Sequence, residues 1–375
     1  MYGIPEDAKI AVAMSGGVDS SVAAALLVEQ GYQVFGMMLR LWSEPGQETA
    51  NRCCTPEAMA VARQIASQLG IPFYAIDAKE TFREVVVQSF IDGYAQGITP
   101  NPCLACNRHI RWEYLLNRAI TLGADYLATG HYARLERTDG EPVRLLKGLD
   151  AAKDQSYVLS ILDQSQLQFA VLPIGEYTKP EVREIAAGLK LPSARTKDSQ
   201  DLCFLGGGDY HEFLEKYAPE IRKPGSIVTT GGKLLGQHQG LAFYTIGQRK
   251  GLGIAHSRPL YVIAKNIQDN TLVVGEENEL GQNRLTAGAA NWVCGSPLAD
   301  PFRAEVKIRY TAGLVPALVI PEGLDRFEVQ FDHPQRDITP GQAAVAYLRD
   351  SAIVSGIIQG AQTPAAEKSE IRLIE

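Results

Sequence analysis

From Lys9 onward the chain sets short apolar runs against amphipathic stretches in alternation. IAVAM (10–14) carries no charge and reads as a strand buried on both faces, SSVAAALLVEQ (20–30) as a helix, and YQVFGMML (32–39) as the next strand. Thr55 to Leu69 reads as a helix capped by Thr with Pro in its first turn. IPFYAID (71–77) then reads as a strand, Arg108 to Leu122 as a helix and YLATGHY (126–132) as a further strand. Strands alternating with helices in this way predict an α/β fold, a doubly wound parallel sheet that runs to about Phe204.

The texture changes around Gly206 to Gly208, and after Lys223 short strands alternate with Gly and Pro turns. SIVTTGGKLLG predicts a hairpin, as does LYVIAKNIQDNTLVVGEE with its Asp-Asn turn. The stretch 276–283 is polar and is expected to hold no strand. FRAEVKIRY, ALVIP, RFEVQFD, QAAVAYLRD and AIVSGIIQG follow, at a spacing that predicts a small β-barrel. The expected division is an α/β domain over 1–208, a small mostly-β central domain over 209–282 and a C-terminal β-barrel over 283–375. The tail GAQTPAAEKSEIRLIE has the composition of a partly disordered end.

Composition narrows the class. A chain of 375 residues exceeds what a single core supports, and 45% hydrophobic with 21% charged residues is a globular composition. No apolar run approaches the ~20 residues that crossing a bilayer needs, and MYGIPEDAKI lacks the pattern of a secretory signal. The expected location is cytoplasmic, with no membrane partner. Six cysteines in so long a chain do not make a disulfide framework, so reactive or metal-binding thiols fit better. Of these, Cys53, Cys54 and Cys294 are taken as structural. Thirty-six basic against 43 acidic side chains, net −7, exclude a protein that coats nucleic acid by bulk charge but leave room for a local basic groove.

MSGGVDSS (14–21) joins a strand to a helix, which is where a phosphate loop belongs. Gly16 and Gly17 let the backbone turn its N–H groups inward, and Ser15, Ser20 and Ser21 add hydroxyls at the positive end of the helix. No Gly-Lys-Ser/Thr follows, so this is not a Walker A loop; it resembles the pyrophosphate loop of the ATP pyrophosphatases. NPCLACNR (101–108) brings Cys103 and Cys106 at metal-ligand spacing, and TKDSQDLCFLGG brings Cys203. Proline-turn and Gly-rich surroundings make both loop-like, where thiols are accessible and ionise. Persulfide and disulfide chemistry, an iron–sulfur cluster on Cys103, Cys106 and Cys203, and zinc all remain open, although a closed structural zinc site needs a fourth ligand.

SGGVDSS, TPNPCLACNR, ATGHYAR, KDQSYVL, ARTKDSQDLCF, FYTIGQRKGLG, KIRY and ITPGQAAVAY occur in the order and at about the spacing of the tRNA-specific 2-thiouridylases, which this chain resembles from Lys9 to about Gly356. The resemblance implies ATP-dependent conversion of the wobble uridine, U34, of tRNA to 2-thiouridine by a sulfurtransferase, with Mg²⁺ on the ATP. A sulfur-relay protein or cysteine desulfurase would be the donor. It implies Cys106 as nucleophile and Cys203 as persulfide carrier, and an ATP site of Ala13, Met14, Ser15, Gly16, Gly17, Val18, Asp19, Ser20, Leu39 and Gly130. It further implies tRNA contacts at Asn101, Pro102, Cys103, His131, Lys153, Asp154, Gln155, Arg309, Tyr310 and Gln342. One departure stands out: many members read Asn-Pro-Asp-x-x-Cys, so Cys103 replaces an aspartate placed to act as a base. A [4Fe–4S] cluster with one iron open to sulfide would account for that cysteine chemically. The rival readings are an ATP pyrophosphatase acting on a small metabolite and a non-catalytic, nucleotide-dependent RNA-binding protein.

Overall fold

A computed structural model of the chain describes residues 2–46, 55–196 and 202–362. Cys53, Cys54, the centre of ARTKDSQDLCF and the tail after residue 362 lie outside the described residues. The first layer is a five-stranded sheet built from β1 (Lys9–Ala13), β2 (Gln33–Arg40), β3 (Phe73–Asp77), β4 (Tyr126–Thr129) and β7 (Ala170–Val171), in the order β3-β2-β1-β4-β7. Every pairing in it is parallel. The short hairpin β5 (Ala133–Glu136) and β6 (Arg144–Lys147) leaves this sheet after β4.

Alternate residues of β1 show why the run lacks charge. Ile10 and Val12 enter an apolar cluster with Val18 and Val22 of helix α1 (Val18–Glu29) and Ala62 and Ile65 of helix α2 (Pro56–Gln68). Ala11 enters a cluster on the opposite face with Phe35, Trp112 and Leu127. Both faces of the sheet are therefore covered, as the period-two pattern of a parallel strand demands. Thr55 caps α2 by accepting from the Ala58 N–H at 3.1 Å, with Pro56 in the first turn as expected. The helix expected over 108–122 begins earlier, as one α-helical turn Pro102–Ala105 that continues into a π-helical segment Cys106–Leu115 and then an α-helix Leu116–Thr121. π-Helical turns are rare and concentrate at functional sites.

The central sheet comprises β8 (Gly225–Thr229), β9 (Leu234–His238), β10 (Tyr261–Asn266) and β11 (Thr271–Gly275). The two expected hairpins are present, and Asn270 takes the left-handed conformation at the Asp-Asn turn, φ +47°. The last unit is β12 (Gln282–Asn291), β13 (Phe302–Lys307), β14 (Val315–Pro321), β15 (Arg326–Gln335), β16 (Ala343–Leu348) and β17 (Ser351–Gln362). Pairing of β12 with both β15 and β17 closes these six antiparallel strands into a barrel. The first of them corrects the expectation of a polar link through residue 283. QNRLTAGAAN has weak strand propensity, and its strand exists because both edges are paired.

The barrel is fastened to the α/β domain. On β16, Ala344 and Ala346 face the barrel interior with Val329 and Val354, while Ala343, Val345 and Tyr347 pack in the cluster that holds Trp112 and Leu127. The β5–β6 hairpin also joins the outside of β17, with Leu146 opposite Ser351. No helix among the described residues is long and apolar enough to cross a membrane.

Candidate active site

The phosphate loop links the C-terminal end of β1 to α1. Gly16 has φ +74°, and a Cβ there would lie 2.6 Å from the Ala58 carbonyl oxygen, so conformation and space both require glycine. Gly17 caps α1 in extended conformation and puts no side chain across the first N–H groups. Ser20 Oγ accepts from the Ser15 N–H at 3.2 Å, and Ser21 Oγ donates to the Gly17 carbonyl at 2.7 Å, which fixes the loop's curve. Exposed N–H groups at a helix start make an anion site.

The loop forms one wall of a cleft of about 1080 Å³. Ala13, Met37 and Leu39 line the sheet edge, Gly130 and His131 follow β4, and Lys153 and Tyr310 stand on the far side. A Cβ on Gly130 would lie 2.6 Å from Ser20 N, so the end of β4 abuts the first turn of α1. The cleft therefore opens where strand order reverses between β1 and β4, the usual ligand position in such sheets.

Asp19 sits at the loop with two partners that the sequence did not single out. Lys179 Nζ, from the first turn of the helix Lys179–Gly188, lies 2.8 and 2.9 Å from its two carboxylate oxygens. Tyr132 donates its hydroxyl to Asp19 Oδ1 at 2.7 Å. Both Lys179 and Tyr132 are buried and line the cleft. Only the capping box Thr178 to Glu181 marked that helix start in the sequence, and a cap signals an element rather than a site.

NPCLACNR begins the cysteine helix. Asn101 Oδ1 accepts from the Cys103 N–H at 3.1 Å and Pro102 fills the first turn. Cys103 is exposed, and the hydroxyl pKa of Tyr310 across the cleft is pushed up, by burial first and by the Asp154 carboxylate after it, with Lys153 acting the other way. Cys106 is buried in an apolar cluster with Ile110 and Phe204, and Cys203 packs against that same cluster. Among the described residues no three Cys, His, Asp or Glu side chains gather into a group able to hold a metal ion. The trio Cys103, Cys106 and Cys203 is thus not assembled as a cluster or zinc site: one helical turn leaves Cys103 in solvent and turns Cys106 into the core.

The residues expected at tRNA divide into two groups. His131, Lys153, Gln155 and Tyr310 line the cleft. Asp154 is buried and accepts from the Gly148 N–H, the Ser156 N–H and Ser156 Oγ at 2.9 to 3.0 Å. Gln155 brackets Tyr132, accepting from its N–H at 2.9 Å and donating to its carbonyl at 2.8 Å. Arg309 pairs with Asp337 at 3.1 Å. Gln342 Nε2 donates to the Thr99 carbonyl at 3.0 Å, and the Thr99 N–H donates to the Pro340 carbonyl at 2.9 Å, so a barrel turn grips the entry to NPCLAC.

Family models match three successive parts of the chain: "tRNA methyl transferase HUP domain" over 8–207, "tRNA methyl transferase PRC-barrel domain" over 211–276 and "Aminomethyltransferase beta-barrel domain" over 282–358. The tRNA-specific 2-thiouridylase MnmA of Roseiflexus castenholzii is 48% identical over 93% of this chain and 98% of its own length. That of Acetivibrio thermocellus is 44% identical over 94% and 99%. The chain belongs to the tRNA-specific 2-thiouridylase family. Among solved structures, the U34-tRNA thiolase NcsA from Methanococcus maripaludis with its [4Fe-4S] cluster matches with a TM-score of 0.35 and 21% identity, covering 57% of this chain and 68% of that one, a likeness too slight to carry an argument.

As a 2-thiouridylase the protein is a tRNA sulfurtransferase. In the 2-thiouridylase fold the phosphate loop, the sheet edge and, through Arg111 and Leu115, the helix that carries Cys106 meet around one cleft, while Gln342 of the barrel bonds the Thr99 carbonyl just before that helix.

Proposed function

We propose that the protein replaces O2 of the wobble uridine, U34, of tRNA with sulfur, using ATP to activate that oxygen. The observation that carries this reading is a cleft bounded by an anion-binding loop on one side and by Lys153, Tyr310, Arg111 and Leu115 on the other, the last two from the helix that begins one turn before Cys106. The pyrophosphate of ATP lies on Gly16, Gly17 and the N-terminus of α1, with Mg²⁺ on Asp19 and the adenine against Leu39. Carboxylate oxygen is the ligand such a hard cation takes. The uridine leaves the anticodon stack, because a stacked base hides O2. Lys153, with Arg309 and Tyr310, receives the anticodon, the arginine through phosphate and the tyrosine through stacking.

Sulfur arrives on Cys203 as a persulfide supplied by a relay protein or a desulfurase. Its terminal sulfur attacks C2, and the bond from C2 to the adenylated oxygen breaks as AMP leaves. Cys106 then attacks the Cys203 sulfur, forming a Cys106–Cys203 disulfide and releasing 2-thiouridine; an external thiol reductant restores both thiols. The shared apolar cluster of these two residues supports the pairing. The chemistry takes place in the cytoplasm, where such reductants are found.

The methyltransferase wording of the family models names a different group. Methyl transfer from an activated donor has no use for a loop built around pyrophosphate, which favours thiolation. The test measures pyrophosphate release and tRNA-bound 2-thiouridine with ATP, tRNA and a persulfide donor, omitting each in turn. Thiolation should need all three and pyrophosphate release should need tRNA. Pyrophosphate release that ignores tRNA, or a methylated uridine in place of a thiolated one, overturns the reading.

A further inference from the structure

His131, expected to meet RNA, lines the cleft but is only 5% exposed. Its Nδ1 lies 2.7 Å from Thr129 Oγ1 and its Nε2 lies 3.0 Å from a terminal nitrogen of Arg111. A guanidinium has no acceptor and keeps its proton, so Nε2 accepts and the ring proton sits on Nδ1, donated to Thr129. Burial, and after it the Arg111 charge, push the His131 pKa well below its ordinary value, in keeping with that neutral tautomer. The ring is a fixed acceptor beneath a cation.

The cation occupies a telling place. Arg111 lines the cleft, and Asn107 Oδ1 lies 3.5 Å from the same terminal nitrogen, one turn earlier on the π-helical segment that starts at Cys106. His131 follows Gly130, the residue jammed against Ser20 and the first turn of α1. One element that touches the phosphate loop therefore fixes the direction of a guanidinium carried by the helix of the nucleophile.

We infer that Arg111 is a catalytic residue that contacts the α-phosphate during adenylyl transfer, and that His131 is a positioning residue that aims it. This rests on the function proposed above. In that step uracil O2 bonds to the α-phosphorus, and the bond from phosphorus to the bridging oxygen breaks with its electron pair leaving on pyrophosphate. The N3 proton passes to solvent. Negative charge on the non-bridging oxygens is met by the guanidinium's parallel N–H donors, already oriented before the reaction.

The experiment compares Arg111→Lys, His131→Gln and His131→Leu with wild type, each checked for a cooperative thermal transition. Single-turnover pyrophosphate release is measured at saturating ATP and tRNA, and both affinities are measured separately. Arg111→Lys should slow release by about 10²-fold, the scale for losing one charge-stabilising donor, with both affinities within about threefold of wild type. His131→Leu should fall with it, while His131→Gln, whose amide oxygen can accept in place of Nε2, should stay close to wild type. An unchanged rate at saturation, with weaker tRNA binding and a salt slope reduced by about one, overturns the inference and makes Arg111 a backbone contact of the RNA. A folded His131→Gln as slow as His131→Leu overturns the positioning role. Wild type that fails to thiolate tRNA sinks the function itself, whereas active wild type with unaffected Arg111 variants sinks only this inference.

Discussion

Replacing Lys179 with methionine separates a phosphate ligand from a strut. The ammonium lies within 2.9 Å of both Asp19 oxygens, with the lysine side chain 10% and the aspartate side chain 33% exposed. Breaking a fully buried pair costs about 3–5 kcal/mol and an exposed one under about 1 kcal/mol. Asp19 is a third exposed and keeps the Tyr132 hydroxyl at 2.7 Å, so a stability loss of about 1–2 kcal/mol is expected between those limits. ATP binding should suffer more. In the site proposed above Mg²⁺ would take Asp19 and leave the ammonium to the phosphates, and a hydrogen bond to a charged group contributes about 1.5–3 kcal/mol, or roughly 10- to 150-fold in Kd. Calorimetric titration with Mg-ATP gives the second figure and denaturant unfolding without nucleotide gives the first. A stability loss of the stated size with an ATP affinity changed less than about threefold would refute the reasoning and leave Lys179 as a strut.

Gly16→Ala forces a left-handed alanine, about 1–2 kcal/mol by itself, against the Ala58 carbonyl, so ATP binding should be lost with the circular dichroism spectrum preserved; wild-type ATP affinity counts against the loop assignment. Cys203→Ser should still release pyrophosphate with tRNA and make no 2-thiouridine, and persistent labelled persulfide on that variant moves the carrier role elsewhere. Cys103→Asp should keep thiolation activity, since an exposed carboxylate there supplies the base that the resemblance implies at this position; an inactive, folded variant shows that the thiol itself is needed. Gln342→Ala removes the donor to the Thr99 carbonyl and should raise the alkylation rate of Cys103 in the absence of tRNA, whereas an unchanged rate means that the barrel turn does not hold the cysteine helix.

Features that depend only on neighbours along the chain could be read directly from the residues. The conformation of Gly16, the capping of α2 by Thr55 and Pro56, the Asn101 turn before Cys103 and the alternation of Ile10, Ala11 and Val12 between two apolar faces are short-range effects, legible before any fold is known. The motif order carried the family for the same reason, because each motif is a local backbone shape with its reactive atoms attached. The tertiary structure decided everything that joins distant segments. Lys179 reaches Asp19 across 160 positions and Arg111 reaches His131 across 20, so neither pair leaves a periodic trace. Asp154 and Gln155 read as polar and available until packing turned them onto Gly148, Ser156 and Tyr132. Strand β12 was illegible because its glycine and alanines have little strand preference of their own; hydrogen bonds to β15 and β17, which exist only when the barrel closes, make it a strand. Propensity and capping act over a few residues, while ion pairing, burial and sheet closure depend on which surfaces meet, and that is fixed only by the packed chain.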